Sequence, residues 1–188
     1  MKKFMSALVF VICILSVNFC SAATLLANIS PAEFSARYQY FIDNLTNMFG
    51  EMAATDYSKY LIRDVWQNPG HNDMYALFIN EDYDSEKYNA MYLYAGNNFK
   101  DNEIYRVQIC IENNYENLRD SFFLESRMAL AALNVTDANS DRIYRVIDGL
   151  DAEYRFFDST ARKNICITKA VTKNSSGHEM NVVEIFAY

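Results

Sequence analysis

Residues that interrupt secondary structure are scarce in this chain, with 2 prolines and 5 glycines among 188 residues. That scarcity excludes a collagen-like, linker-like or low-complexity polypeptide. Only 2 histidines are present, so acid–base chemistry near neutral pH has few bases to draw on. There is no Gly-x-Ser-x-Gly elbow, no His-Glu-x-x-His pair and no glycine-rich phosphate loop. Basic residues are outnumbered, 17 against 24 acidic ones. Phosphate backbones and anionic lipid repel such a chain, which argues against nucleic-acid and membrane-surface partners. Long apolar runs are also missing. The longest, Ala7 to Leu15, falls well short of the about 20 residues that span a bilayer.

What is present begins with a leader. Lys2 and Lys3 precede an apolar run from Phe4 to Phe19, and small residues follow at Ser21, Ala22 and Ala23. That order of positive charge, apolar stretch and small-residue site describes a cleavable secretory signal over residues 1–22, with cleavage expected after Ala22 or Ala23. Phe19 before Cys20 places a bulky ring where a lipid-attachment signal needs a small residue. Residues 23–188 then form one domain, exported to a periplasmic or extracellular destination, with no membrane span after cleavage. Loss of Lys2 and Lys3 takes the net charge from −7 to −9. Cys13 and Cys20 leave too, so Cys110 and Cys166 remain in a compartment that permits disulfides.

Periodicity divides the domain into elements. Ser30, Pro31 and Glu33 form a helix start with a capping box. Phe34, Tyr38, Phe41, Ile42, Leu45 and Met48 then recur at steps of three and four, which predicts a helix over 31–49 ended by Gly50. Strands are expected at 57–66, 74–79, 89–95 and 104–111, separated by turn sequences such as Asn68-Pro69-Gly70. From Tyr115 the period returns to helical and stops at Asn134. A shorter helix over 141–148 is capped by Ser140 and ended by Gly149. Strands at 154–157, 165–171 and 182–187 close the chain. Helices and strands are segregated, so the fold class is α+β: an antiparallel sheet with helices packed on one face, ordered as an N-terminal helix, a strand meander, a two-helix segment and a C-terminal meander.

Candidate chemistry is thin. His71 and His178 fall in turns, and exposed loop histidines are ordinarily only solvated. His71 with Asp73 is the better acid–base candidate, because a carboxylate can orient an imidazole. Asp82, Asp84 and Glu86 imitate the start of a calcium loop. Lys87 stands where that loop needs glycine and Leu93 where it needs glutamate, so no metal site is expected, and no cofactor. Period-two alternation places Cys110 and Cys166 on the less apolar faces of their strands. If those strands are neighbours, the two thiols form a disulfide. Asn-x-Ser/Thr triplets at Asn28, Asn44, Asn134 and Asn174 read as chance in an asparagine-rich chain.

The strongest functional signal is aromatic. Tyr88, Tyr92 and Tyr94 share one face of a strand while Met91 and Leu93 share the other. With Met91 and Leu93 under the helices, the tyrosines face away, beside Arg106 and Gln108 of the next strand. Tyrosine joins a broad apolar body to a hydrogen-bonding tip, which suits a protein, peptide or carbohydrate ligand. The first expectation is therefore an exported, non-enzymatic binding domain with Tyr88, Tyr92, Tyr94, Arg106 and Gln108 as ligand contacts. The alternatives are a small secreted hydrolase using His71 and Asp73, and a self-associating envelope structural protein.

Overall fold

A computed structural model describes residues 24–49, 64–66, 73–82, 87–95, 103–112, 118–173 and 177–188, with side chains described throughout except at 45–49, 64–66, 73–82 and 87–89. Three helices are described: α1 (Pro31–Phe49), α2 (Leu118–Ala132) and α3 (Ser140–Ile147). The strands are β1 (Asp64–Trp66), β2 (Asp73–Asp82), β3 (Lys87–Ala95), β4 (Ile104–Glu112), β5 (Glu153–Asp158), β6 (Lys163–Lys173) and β7 (Glu179–Ala187). They form one sheet in the order β1-β2-β3-β4-β7-β6-β5, and each neighbouring pair is antiparallel. Two meanders, β1–β4 and β5–β7, thus join where β7 lies against β4. The α+β class read from the sequence is the class observed.

Local signals explain the helix ends. The Glu33 N–H donates to Ser30 Oγ at 3.1 Å, so the first turn of α1 is capped by the residue expected to cap it. At the end of α2, Asn134 adopts φ 60°, and the Val135 N–H reaches back to the Leu130 carbonyl. Asparagine tolerates that left-handed conformation better than most residues, so the helix stops there. Gly149, with φ 72°, ends α3 in the same way. The start of α3 differs from expectation. Asn139 is the cap, its Oδ1 accepting from the Arg142 N–H at 3.1 Å, and Ser140 is the first helical residue.

One face of the sheet carries the main core. Phe34, Tyr38 and Ile42 of α1 meet Phe122, Met128 and Ala129 of α2, and Ile143, Val146 and Ile147 of α3 extend the layer. Beneath them lie Met91 and Leu93, Val107, Ile109 and Ile111, Val183 and Ile185, and Ile165 and Ile167. Period-two alternation delivers one apolar row from each strand to this layer. The segment before α1 is built in as well: Thr24 bridges Ala187, Ala27 bridges Ile104, and Lys163 Nζ donates to the Leu25 carbonyl at 2.5 Å.

The crossover from β4 through α2 and α3 to β5 is fixed at its far end by Asp158, which is fully buried. Its Oδ2 accepts from the backbone N–H groups of Thr136 (2.7 Å) and Asp137 (2.8 Å), and its Oδ1 accepts from Ala161 (2.6 Å). Asp137 returns the link by accepting from the Ser159 N–H at 2.6 Å, and hydrogen bonds from Ser159 hold the Asp137 carboxyl below the usual range. A carboxylate that satisfies three backbone donors binds the loop before α3 to the β5–β6 turn.

Candidate functional site

The candidate site occupies the face of the sheet away from the helices. Residues directly opposite in an antiparallel sheet share a face, so the register can be read across five strands as rungs. One rung runs Arg155, Cys166, Phe186, Arg106 and Tyr94 from β5 to β3. The next runs Glu153, Thr168, Glu184, Gln108 and Tyr92. A cationic and aromatic rung therefore lies against an acidic and polar one, and the pairing between them is diagonal. The Tyr94 hydroxyl donates to Gln108 Oε1 at 3.1 Å, and Gln108 Nε2 donates to Glu184 Oε1 at 2.8 Å. Arg106 reaches the same Glu184 oxygen at 3.3 Å. Its guanidinium also sits 5.6 Å from the Tyr94 ring centroid and 5.7 Å from that of Phe186. Toward the edge, Arg155 pairs with Glu153 at 2.7 Å and lies 4.7 Å from the Tyr188 ring centroid.

Of the residues expected to bind a ligand, Tyr94, Arg106 and Gln108 are brought into one network. Tyr92 stands opposite Gln108 on the same face. The side chain of Tyr88 lies outside the described residues. The phase matches expectation, since Met91 and Leu93 belong to the helix-side core. The exposure does not. Tyr92 is 2% exposed, Tyr94 8% and Gln108 1%. Burial, with help from Cys110 and Glu184 and against Arg106, pushes the Tyr94 phenol far above its ordinary value. Met180, Val182 and Cys110 on this face are buried too. The β3–β4–β7 half is thus closed to solvent, and Arg106 and Glu184 at its border keep partial access, with side chains 26% and 16% exposed.

The β5–β6 half is open except at Cys166, which is buried. Phe157 is 59% exposed and Tyr188 46%. Phe157 pairs with Asn164, whose carbonyl accepts from the Tyr188 N–H, so both rings flank Asn164 on one rung. The sequence reading missed this pair. The signal was present in Tyr154-Arg155-Phe156-Phe157, where a ring interrupts the alternation of a strand whose inward positions are already aromatic.

The expected disulfide is not formed: Cys110 and Cys166 are both free and buried. Strand β7 lies between β4 and β6. Cys110 stands level with Val182 and Ala170, and Cys166 level with Phe186, four positions along. Two strand spacings and four residue rises separate the Cα atoms by roughly 16 Å, against the about 7 Å that a bridge tolerates. Burial raises both thiols above their ordinary value. For Cys166 the rise reaches about 11, with Glu153 adding to it, and Glu184 and Glu125 add to the burial of Cys110. Protonated thiols of this kind are poor nucleophiles.

His71 lies outside the described residues, as does the side chain of Asp73. His178 is tied down: its Nδ1 is 2.6 Å from Oε1 of the buried Glu112, joining the end of β4 to the entry of β7. Among the described residues no cluster of three His, Cys, Asp or Glu side chains is arranged to hold a metal. No described helix is long and apolar enough to cross a membrane. No protein-family model matches the chain, and neither the curated proteins nor the solved structures compared with it include a match.

Proposed function

We propose that this protein is an exported, non-enzymatic binding domain. Its contact surface is the open half of the sheet face away from the helices: Phe157, Arg155, Asn164 and Tyr188, with Arg106 at the inner border. The observation that carries the reading is the rung of two exposed rings flanking Asn164, with one ring held against Arg155. Exposed rings on a hydrogen-bonded strand are pre-oriented, so little side-chain freedom is lost when a ligand stacks on them. The polar rungs beside them supply donors and acceptors for orientation.

Export rests on the N-terminal signal. The contacts of Thr24, Leu25 and Ala27 fit cleavage after Ala22 or Ala23, because that position leaves every one of them in the mature chain. N-terminal sequencing of the secreted product tests this, and a start beyond Thr24 contradicts it. For the surface, the mature chain is screened against immobilised oligosaccharides and peptides. Any binding the parent shows is lost in a Phe157→Ser, Tyr188→Ser double variant that keeps the parent's denaturation curve. Binding that survives both substitutions removes the surface from consideration.

A further inference from the structure

Strand β6 runs from Lys163 to Lys173, but β5 pairs with it only as far as Thr168. The last five residues of β6 are held by β7 on one side, and among the described residues no strand lies on the other. Alternate residues of this ledge, about 17 Å long, turn their backbone donors and acceptors outward, and among the described residues these outward groups have no backbone partner. Val171 on the ledge is 57% exposed, an unusual position for a large aliphatic side chain in a strand.

We propose that this ledge is a β-augmentation site for an extended segment of a partner protein that alternates acidic and apolar residues. The incoming strand takes the line β5 would follow if it began five residues earlier. Charge selects the occupant. Val171 shares its face with Lys169 and Lys173. Lys173 has Glu179 opposite it on β7, and among the described residues no strand residue stands opposite it on the free side. An acidic residue there would stand opposite Lys173, as Glu179 does in the β6–β7 register, and opposite charges on facing strand positions are favourable. Lys169 donates to the Ile147 carbonyl, which holds its charge near the ledge's inner end. A second copy of the chain fits poorly. Antiparallel self-pairing centred on Val171 sets Lys169 opposite Lys173, and like charges directly opposite are destabilising.

The test uses the mature chain and two fluorescein-labelled, acetylated eight-residue peptides, one alternating glutamate and valine, the other lysine and valine. Anisotropy is expected to show the glutamate peptide binding at least tenfold tighter. Backbone amide shifts should concentrate at residues 169–173. A Lys173→Glu variant, whose substituted side chain is exposed, should weaken the glutamate peptide at least fivefold while keeping the parent's unfolding midpoint. Equal affinity for both peptides, no saturable binding, or shifts centred on Phe157 and Tyr188 overturns the proposal. Self-association without peptide that a Val171→Lys variant abolishes also overturns it, and assigns the ledge to a second copy.

Discussion

Replacing Asp158 with alanine should unlatch the crossover. The carboxylate accepts three backbone hydrogen bonds, at 2.6, 2.7 and 2.8 Å, from donors with no other partner among the described residues, and the side chain is fully buried. Hydrogen bonds to a charged group contribute about 1.5–3 kcal/mol each, and leaving a buried donor unsatisfied costs about 1–3 kcal/mol. The donors are only partly buried, so entering water recovers part of the loss. The net destabilisation is about 3–5 kcal/mol, a large share of the about 5–15 kcal/mol that a domain possesses. Urea denaturation followed by circular dichroism measures it as a shift in midpoint at unchanged slope. Asp158→Asn keeps the shape but exchanges one acceptor oxygen for a donor, and should cost less than alanine. A loss below about 1 kcal/mol for Asp158→Ala would refute the claim that this carboxylate organises the turn that positions Phe157.

Further outcomes follow from other groups. Under denaturing conditions without reductant, Cys110 and Cys166 should both alkylate, whereas in the folded protein neither should. A mass showing fewer than two adducts after denaturation contradicts the free-thiol assignment. Alkaline pH should destabilise the fold. Cys110, Cys166 and Tyr94 hold their protons in the folded state above their ordinary values, so from about pH 9 the unfolded chain carries fewer protons than the native one and stability falls as pH rises. Each such group steepens the loss by up to about 1.4 kcal/mol per pH unit, while Lys163 and Lys169, which burial shifts downward, oppose it in part; a denaturation midpoint that rises between pH 8 and about 10.5 would contradict the burial. Asn139→Ala should cost about 1 kcal/mol through loss of the α3 cap, while Ser140→Ala should cost distinctly less. Equal losses would return the cap to Ser140.

The legible parts of this fold were those specified locally. Ser30, Pro31, Glu33 and the apolar stripe agree with one another, and α1 spans the residues they indicate. Most strand positions followed from local pattern in the same way, although residues 57–63 of the strand expected at 57–66 lie outside the described residues. What escaped the sequence depended on contacts far along the chain. The pairing of β7 with β4 separates Cys110 from Cys166, and no local pattern near either cysteine encodes that strand order. The face away from the helices was harder still. Tyrosine suits a wet face and a buried one equally, so Tyr92 and Tyr94 could not reveal which half of the sheet is closed. Two apolar neighbours in sequence, Val182 and Val183, are buried on opposite faces of β7, which is the signature of a strand covered on both sides. The open aromatic pair was half legible, since Phe157 breaks its strand's alternation. Tyr188 reaches the same rung only through the β6–β7 pairing.

Recognition by this face depends on which rings of the sheet meet solvent. Hydroxyl-radical footprinting of the mature protein, read by peptide mass at individual aromatic residues, measures that directly. Strong oxidation at Phe157 and Tyr188 with protection of Tyr92 and Tyr94 is the expected pattern. Protection of Phe157 and Tyr188 together with oxidation of Tyr92 and Tyr94 would contradict it.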